Sequence, residues 1–77
     1  MRVKVEFQAY LEQYSPNGQT AFDYDLPQGA DVNQLIRSLG VPEELASVII
    51  VNDTSAGPEH PLREGDRVTV IPPLAGG

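Results

Sequence analysis

The sequence predicts an α+β domain in which a mixed sheet of four to five strands packs on one main helix and a C-terminal tail projects from the body. Three observations carry that expectation. Apolar and polar residues alternate in runs at both ends of the chain, one stripe of apolar residues at helical spacing lies between them, and the last strand runs into a proline pair without a linker.

Residues 2 to 10 alternate with Val3, Val5, Phe7 and Ala9 on one face and Arg2, Lys4, Glu6 and Gln8 on the other, which predicts a half-buried strand. The pattern lapses from Leu11 and closes on Ser15-Pro16-Asn17-Gly18, a turn cluster whose Asn-Gly pair tolerates positive φ. The run from Gln19 to Leu26 places Phe22, Tyr24 and Leu26 on one face and Asp23 and Asp25 on the other. The two runs therefore predict an antiparallel hairpin, with an irregular tip or one helical turn because the connection exceeds two residues.

Pro27-Gln28-Gly29 ends the second strand, and Asp31 offers an N-cap oxygen. Val32, Leu35, Ile36 and Leu39 then form one stripe of an amphipathic helix of about ten residues. Gly40 and Pro42 follow in the order expected of a helix end. A helix of this length is marginal alone, so its stripe must lie on the sheet, where each buried side chain contributes roughly 1.5–3 kcal/mol gross.

Pro42 to Ala46 predicts one further helical turn, charged at its start by Glu43 and Glu44. Ser47 to Asn52 is a continuous β-branched strand, and one helix can cover only one of its faces. The other face is either covered by loop or a partner surface. Residues 53 to 61 are polar and broken by Gly57-Pro58 and Pro61, and predict no regular structure. Leu62 anchors the chain before a tight turn at Gly65, and Arg67 to Ile71 forms the final strand with Val68 and Val70 inward. Right-handed crossover then sets the first and last strands side by side as a central parallel pair, the β-grasp or ubiquitin-like arrangement. The body spans residues 1–71 and the tail residues 72–77.

At 77 residues the chain buries only about 60–65% of its extended surface, so it has one small core. It contains no cysteine, which excludes disulfide staples and thiolate metal sites. Eleven acidic against five basic residues give a formal charge of −6, a balance that disfavours nucleic acid and anionic membrane. The acidity serves either solubility or docking on basic protein surfaces. With neither a signal-peptide pattern nor an apolar span, a cytoplasmic location is expected.

The tail is Pro72-Pro73-Leu74-Ala75-Gly76-Gly77. Two prolines stop the ladder and hold the exit extended, and two glycines leave an end thin enough for a narrow channel. Its reactive group is the Gly77 α-carboxylate, which needs activation before a nucleophile can displace oxygen. These six residues alone fit a frayed terminus equally well. Other candidates for chemistry are weak: His60 reads as a solvated loop histidine, and Asp23 and Asp25 as a solvated sheet face without a nearby cation. Tyr10, Tyr14 and Tyr24 read as hairpin packing or a recognition patch.

Asn52, the stretch Pro61-Leu62-Arg63-Glu64-Gly65-Asp66-Arg67-Val68, and the ending Ile71-Pro72-Pro73-Leu74-Ala75-Gly76-Gly77 together resemble the MoaD/ThiS sulfur-carrier family. The Pro-Pro-x-x-Gly-Gly ending is more similar to MoaD, the small subunit of molybdopterin synthase, than to ThiS. Asp53 stands where the family usually has glycine, which is expected to alter that turn.

The resemblance implies that Gly77 carries the sulfur. An E1-like adenylating enzyme of the MoeB/ThiF type would consume ATP to activate it, and conversion to a thiocarboxylate would follow. Pro72, Pro73, Leu74, Ala75 and Gly76 would thread the terminus into a large synthase subunit of the MoaE type. It implies a carrier with no catalytic residue, metal or bound cofactor of its own. ThiS-like or tRNA thiolation, protein conjugation, and a ubiquitin-like binding module without terminal chemistry are the other readings.

Overall fold

A computed structural model of the protein describes residues 1–73. Strands β1 (Arg2–Phe7) and β2 (Ala21–Asp25) flank a 3₁₀ helix (Ala9–Tyr14), and helix α1 (Val32–Leu39) follows. A short 3₁₀ turn (Glu43–Leu45) leads into β3 (Val48–Val51), β4 (Thr54–Ala56) and β5 (Arg67–Ile71). The five strands form one mixed sheet in the order β2-β1-β5-β3-β4. β1 and β5 are the parallel pair at its centre, with Lys4 beside Arg67 and Phe7 beside Val70, and the remaining pairs are antiparallel. This is the ubiquitin-like β-grasp that the element order predicts.

One face of the sheet carries the core. Val3, Val5 and Phe7 of β1, Phe22 of β2, Ile49 and Val51 of β3, and Val68 and Val70 of β5 are buried with Val32, Leu35 and Ile36 of the helix. Phe7 and Phe22 meet edge to face at 5.3 Å, a geometry worth about 0.5–1.5 kcal/mol beyond the area it buries.

The first strand is shorter than its alternation predicts. It stops at Phe7, and Ala9, expected on the inner face, is exposed at φ 54°. The reversal turns the chain into the 3₁₀ helix, which buries Leu11 completely, so that an apolar residue off the period-two pattern joins the core. This is the helical turn expected at the hairpin tip.

The helix has eight residues rather than about ten, and both predicted boundaries hold. Asp31 accepts the Gln34 amide at 2.9 Å, and Gly40 closes the helix at φ 76°. The loop at residues 57 to 61 completes the cap. Val32 N–H donates to the His60 carbonyl at 3.0 Å and Asn33 N–H to the Pro58 carbonyl at 2.8 Å. The first three helical amides are thereby satisfied without solvent.

Residues 53 to 61, expected to be irregular, contain β4. Asn52 and Asp53 both adopt positive φ, 49° and 71°, the signature of a two-residue type I′ hairpin turn, and this folds Thr54–Ala56 back on β3. Asp53 thus preserves the tight turn that a glycine would make rather than altering it.

Candidate functional site

The end of β5 and the sheet face turned away from the helix define the region from which the C-terminus leaves. Pro72 is buried and Pro73 exposed, so packing of the body reaches one residue beyond the last strand. Leu74, Ala75, Gly76 and Gly77 lie outside the described residues.

Beside this exit lies an apolar strip. Val48 pairs across the strands with Ile71, and Ile50 follows Val48 on the same face of β3. Val48 is 41% exposed, and Ile50 and Ile71 are half-buried. The unbroken β-branched run of β3 therefore has two different environments: Ile49 and Val51 enter the core, while Val48 and Ile50 face outward. The 57 to 61 loop packs on the start of α1 instead of covering this face.

Charge on the outer face is concentrated toward the opposite end of the strands. Arg2 Nε and one terminal nitrogen reach the Asp25 carboxylate at 2.9 and 3.4 Å. That hydrogen bond and the positive charge behind it hold the Asp25 carboxyl below its ordinary range and raise Arg2. Asp25 therefore has the neighbouring cation that the sequence reading did not supply. Farther across the sheet Arg67 pairs with Asp53 at 3.2 Å. The outer face thus grades from paired charges to an apolar strip at the exit.

The remaining candidates resolve into structural roles. His60 is exposed and its carbonyl caps the helix. Tyr24 packs edge to face on Phe22 and shares a 2.6 Å hydrogen bond with Ser38 Oγ, which ties β2 to α1. Tyr14 packs partly buried against the core, whereas Tyr10 is 45% exposed. Glu43 and Glu44 occupy the first turn of their 3₁₀ segment. Among the described residues no group of three or more His, Cys, Asp or Glu side chains could hold a metal ion, and no helix is long and apolar enough to cross a membrane.

Asn52 and Asp66 have a role that sequence reasoning missed. Asp66, 9% exposed, accepts from Asn52 Nδ2 and from the Arg63 amide, both at 2.8 Å. Asn52 Oδ1 accepts the Arg67 amide at 2.9 Å. The two side chains brace the β3–β4 turn against the start of β5, the strand that carries the tail.

Comparison with known proteins agrees with this geometry. The model of the ThiS family matches residues 9–77. A putative molybdopterin converting factor subunit 1 from Pyrococcus furiosus is 30% identical with a TM-score of 0.76, covering 96% of this chain and 99% of that one. In the complex of subunits 1 and 2 of the molybdopterin-converting factor from Helicobacter pylori, the matching chain is 26% identical with a TM-score of 0.62, and both chains are covered in full. SAMP1 from Haloferax volcanii, at 20% identity and a TM-score of 0.76 with both chains covered in full, shares the fold. No curated protein matches. The family match takes in nearly the whole chain, including its Gly-Gly end, and the chain belongs to the ThiS family, the ubiquitin-like sulfur carriers of the MoaD/ThiS type, as a carrier rather than an enzyme.

Proposed function

We propose that this chain is the sulfur carrier of a cytoplasmic molybdopterin pathway, with Gly77 as its working end. The observation that carries the reading is the 30% identity with the Pyrococcus furiosus subunit 1 over 96% of this chain, together with a family match that runs to residue 77. An E1-like enzyme of the MoeB/ThiF type joins the Gly77 carboxylate to AMP from ATP and releases pyrophosphate. Sulfide then attacks the acyl carbon, a C–S bond replaces the C–O bond to AMP, and a thiocarboxylate remains. That sulfur passes to a pterin precursor inside a large subunit of the MoaE type, the kind of partner that the Helicobacter pylori subunit 1 has in subunit 2.

The chain's own contribution is reach and docking. Pro72 and Pro73 reduce the freedom lost on insertion, Leu74 supplies an apolar contact, and Ala75, Gly76 and Gly77 are small enough for a channel. Val48, Ile50 and Ile71 give a partner an apolar seat at the root of the tail. A second reading, a carrier for thiazole formation, is favoured by the family model itself, which is that of ThiS.

Intact-mass analysis of the chain co-expressed with its activating enzyme tests the common step. Replacing one carboxyl oxygen by sulfur adds about 16 Da. An unchanged mass beside a competent activating enzyme would overturn the carrier reading. Sulfur release to the pterin precursor in the presence of the large subunit then separates the molybdopterin reading from the thiazole one.

A further inference from the structure

An activated C-terminus is an acylating agent, and the chain that bears it is the amine source nearest at hand. Resting on the reading that Gly77 is adenylated, we propose that Lys4 is the one amine of this chain that accepts the activated terminus of a second copy, so that self-conjugation yields chains linked Gly77 to Lys4.

The sequence contains a single lysine, Lys4, and no cysteine. Its arginines stay protonated and do not accept acyl groups. The other amine, at Met1, is partly buried and donates to the Leu26 carbonyl at 2.6 Å. Lys4 is exposed, and the strand alternation that buries Val3 and Val5 turns it onto the outer face. It takes part in neither of the ion pairs found among the described residues, Arg2 with Asp25 and Arg67 with Asp53. A shallow hollow of about 200 Å³ lies around it, lined also by Glu6, Ala21, Asp53 and Thr69, with Arg67 as its direct neighbour on β5. A terminus that ends in two glycines is narrow enough to lie in such a hollow.

Attack within one molecule is opposed by geometry. Lys4 is level with Arg67, and six strand positions at about 3.3 Å each put Pro73 roughly 20 Å away. The four residues after Pro73 extend at most about 14 Å and the lysine side chain adds about 6 Å, so the two meet only when both are fully extended toward each other. Closure on the chain's own lysine needs an immediate full reversal at a proline, whereas a second copy approaches without restriction. In the transfer the neutral Lys4 amine forms a C–N bond to the Gly77 carbonyl carbon, the C–O bond to phosphate breaks, AMP leaves with the electron pair, and the amine proton passes to solvent. No oxidant or reductant is required.

The test incubates the full chain with its activating enzyme and ATP, without a sulfur donor, and reads intact mass. An AMP adduct reports activation of Gly77. A covalent species at twice the 8.4 kDa chain mass, less one water, reports conjugation. Tryptic mapping is expected to find the Val68–Gly77 peptide on Lys4. Lys4→Arg is expected to keep the AMP adduct and lose the dimer. An AMP adduct with no dimer, or a dimer that persists in Lys4→Arg, overturns the acceptor assignment alone. Absence of any adduct overturns the reading of the terminus, and the acceptor with it.

Discussion

Asn52 Nδ2 donates to Asp66 Oδ1 at 2.8 Å, joining the apex of the β3–β4 hairpin to the residue that precedes β5. The other Asp66 oxygen takes the Arg63 amide, so removing the carboxylate strands two donors at a site only 9% exposed. An unsatisfied buried donor costs about 1–3 kcal/mol. Asp66→Ala is expected to lose about 2 kcal/mol, a large share of the roughly 4–12 kcal/mol typical of a domain this size. Urea unfolding measures it, and a loss under about 0.5 kcal/mol would show that water replaces the carboxylate without penalty.

Asp53 offers a prediction of opposite sign. It holds φ 71° in the type I′ turn, where a side chain is crowded and glycine is not. Asp53→Gly also removes the exposed pair with Arg67, whose side chains are 63% and 88% exposed, and frees the unfolded chain. Relief of strain is the larger effect, and a net gain of roughly 0.5 kcal/mol is expected, read as a rise of a few degrees in melting temperature. A lower melting temperature would mean that the surface pair outweighs the strain.

These two positions also mark where the sequence was and was not legible. Helix α1 could be bounded from Asp31 and Gly40 because capping is written in residues next to one another. The parallel centre of the sheet followed from handedness and chain order. β4 was missed because Thr54 is the one strand-favouring residue of the three and no apolar alternation accompanies it, and it exists because the preceding turn folds it onto β3. Ala9 was misplaced because burying Leu11 outweighs one more alternating position. The contact between Asn52 and Asp66 joins residues fourteen apart, beyond the reach of local pattern. The tail's chemistry is an expectation drawn from its glycines and prolines alone, since its residues 74 to 77 lie outside the described structure.

Asp25 supplies a pH signature. Its carboxyl is held below the ordinary range by the Arg2 hydrogen bond and charge. Because the folded pKa is the lower one, the pair's stabilisation is complete above the ordinary carboxylate pKa and disappears as pH falls through the depressed value. Carboxyl NMR titration is expected to place the Asp25 midpoint below that of an unpaired aspartate. Arg2→Ala should move it upward, and high salt should do so in part because both groups are exposed. A midpoint that ignores Arg2→Ala would sink the assignment.

Leu35 tests how much the core can give up. It is fully buried on the helix stripe, and removing its side chain leaves a cavity that costs about 2–5 kcal/mol. Against a total of roughly 4–12 kcal/mol this is a large fraction of the stability that a single small core supplies. Leu35→Ala is expected to be partly unfolded near physiological temperature, with amide exchange accelerated across β1 and β5 as well as α1. Acceleration confined to the helix would mean that the sheet holds together without it.

Val48 separates docking from folding. It is 41% exposed beside Ile71, so in the free chain a lysine there can keep its ammonium in water and lay its stem along the strand. The stability change is expected to stay within about 1 kcal/mol. Pressed against a large subunit of the MoaE type, the same ammonium would lose its water without a counter-charge, and the apolar contact would be lost. Val48→Lys is therefore expected to weaken that complex at least tenfold, about 1.4 kcal/mol, by calorimetry. Activation of Gly77 serves as the internal control: if the AMP adduct still forms while the synthase complex weakens, the strip serves the large subunit in particular. Unchanged affinity for the large subunit would place its seat elsewhere on the body.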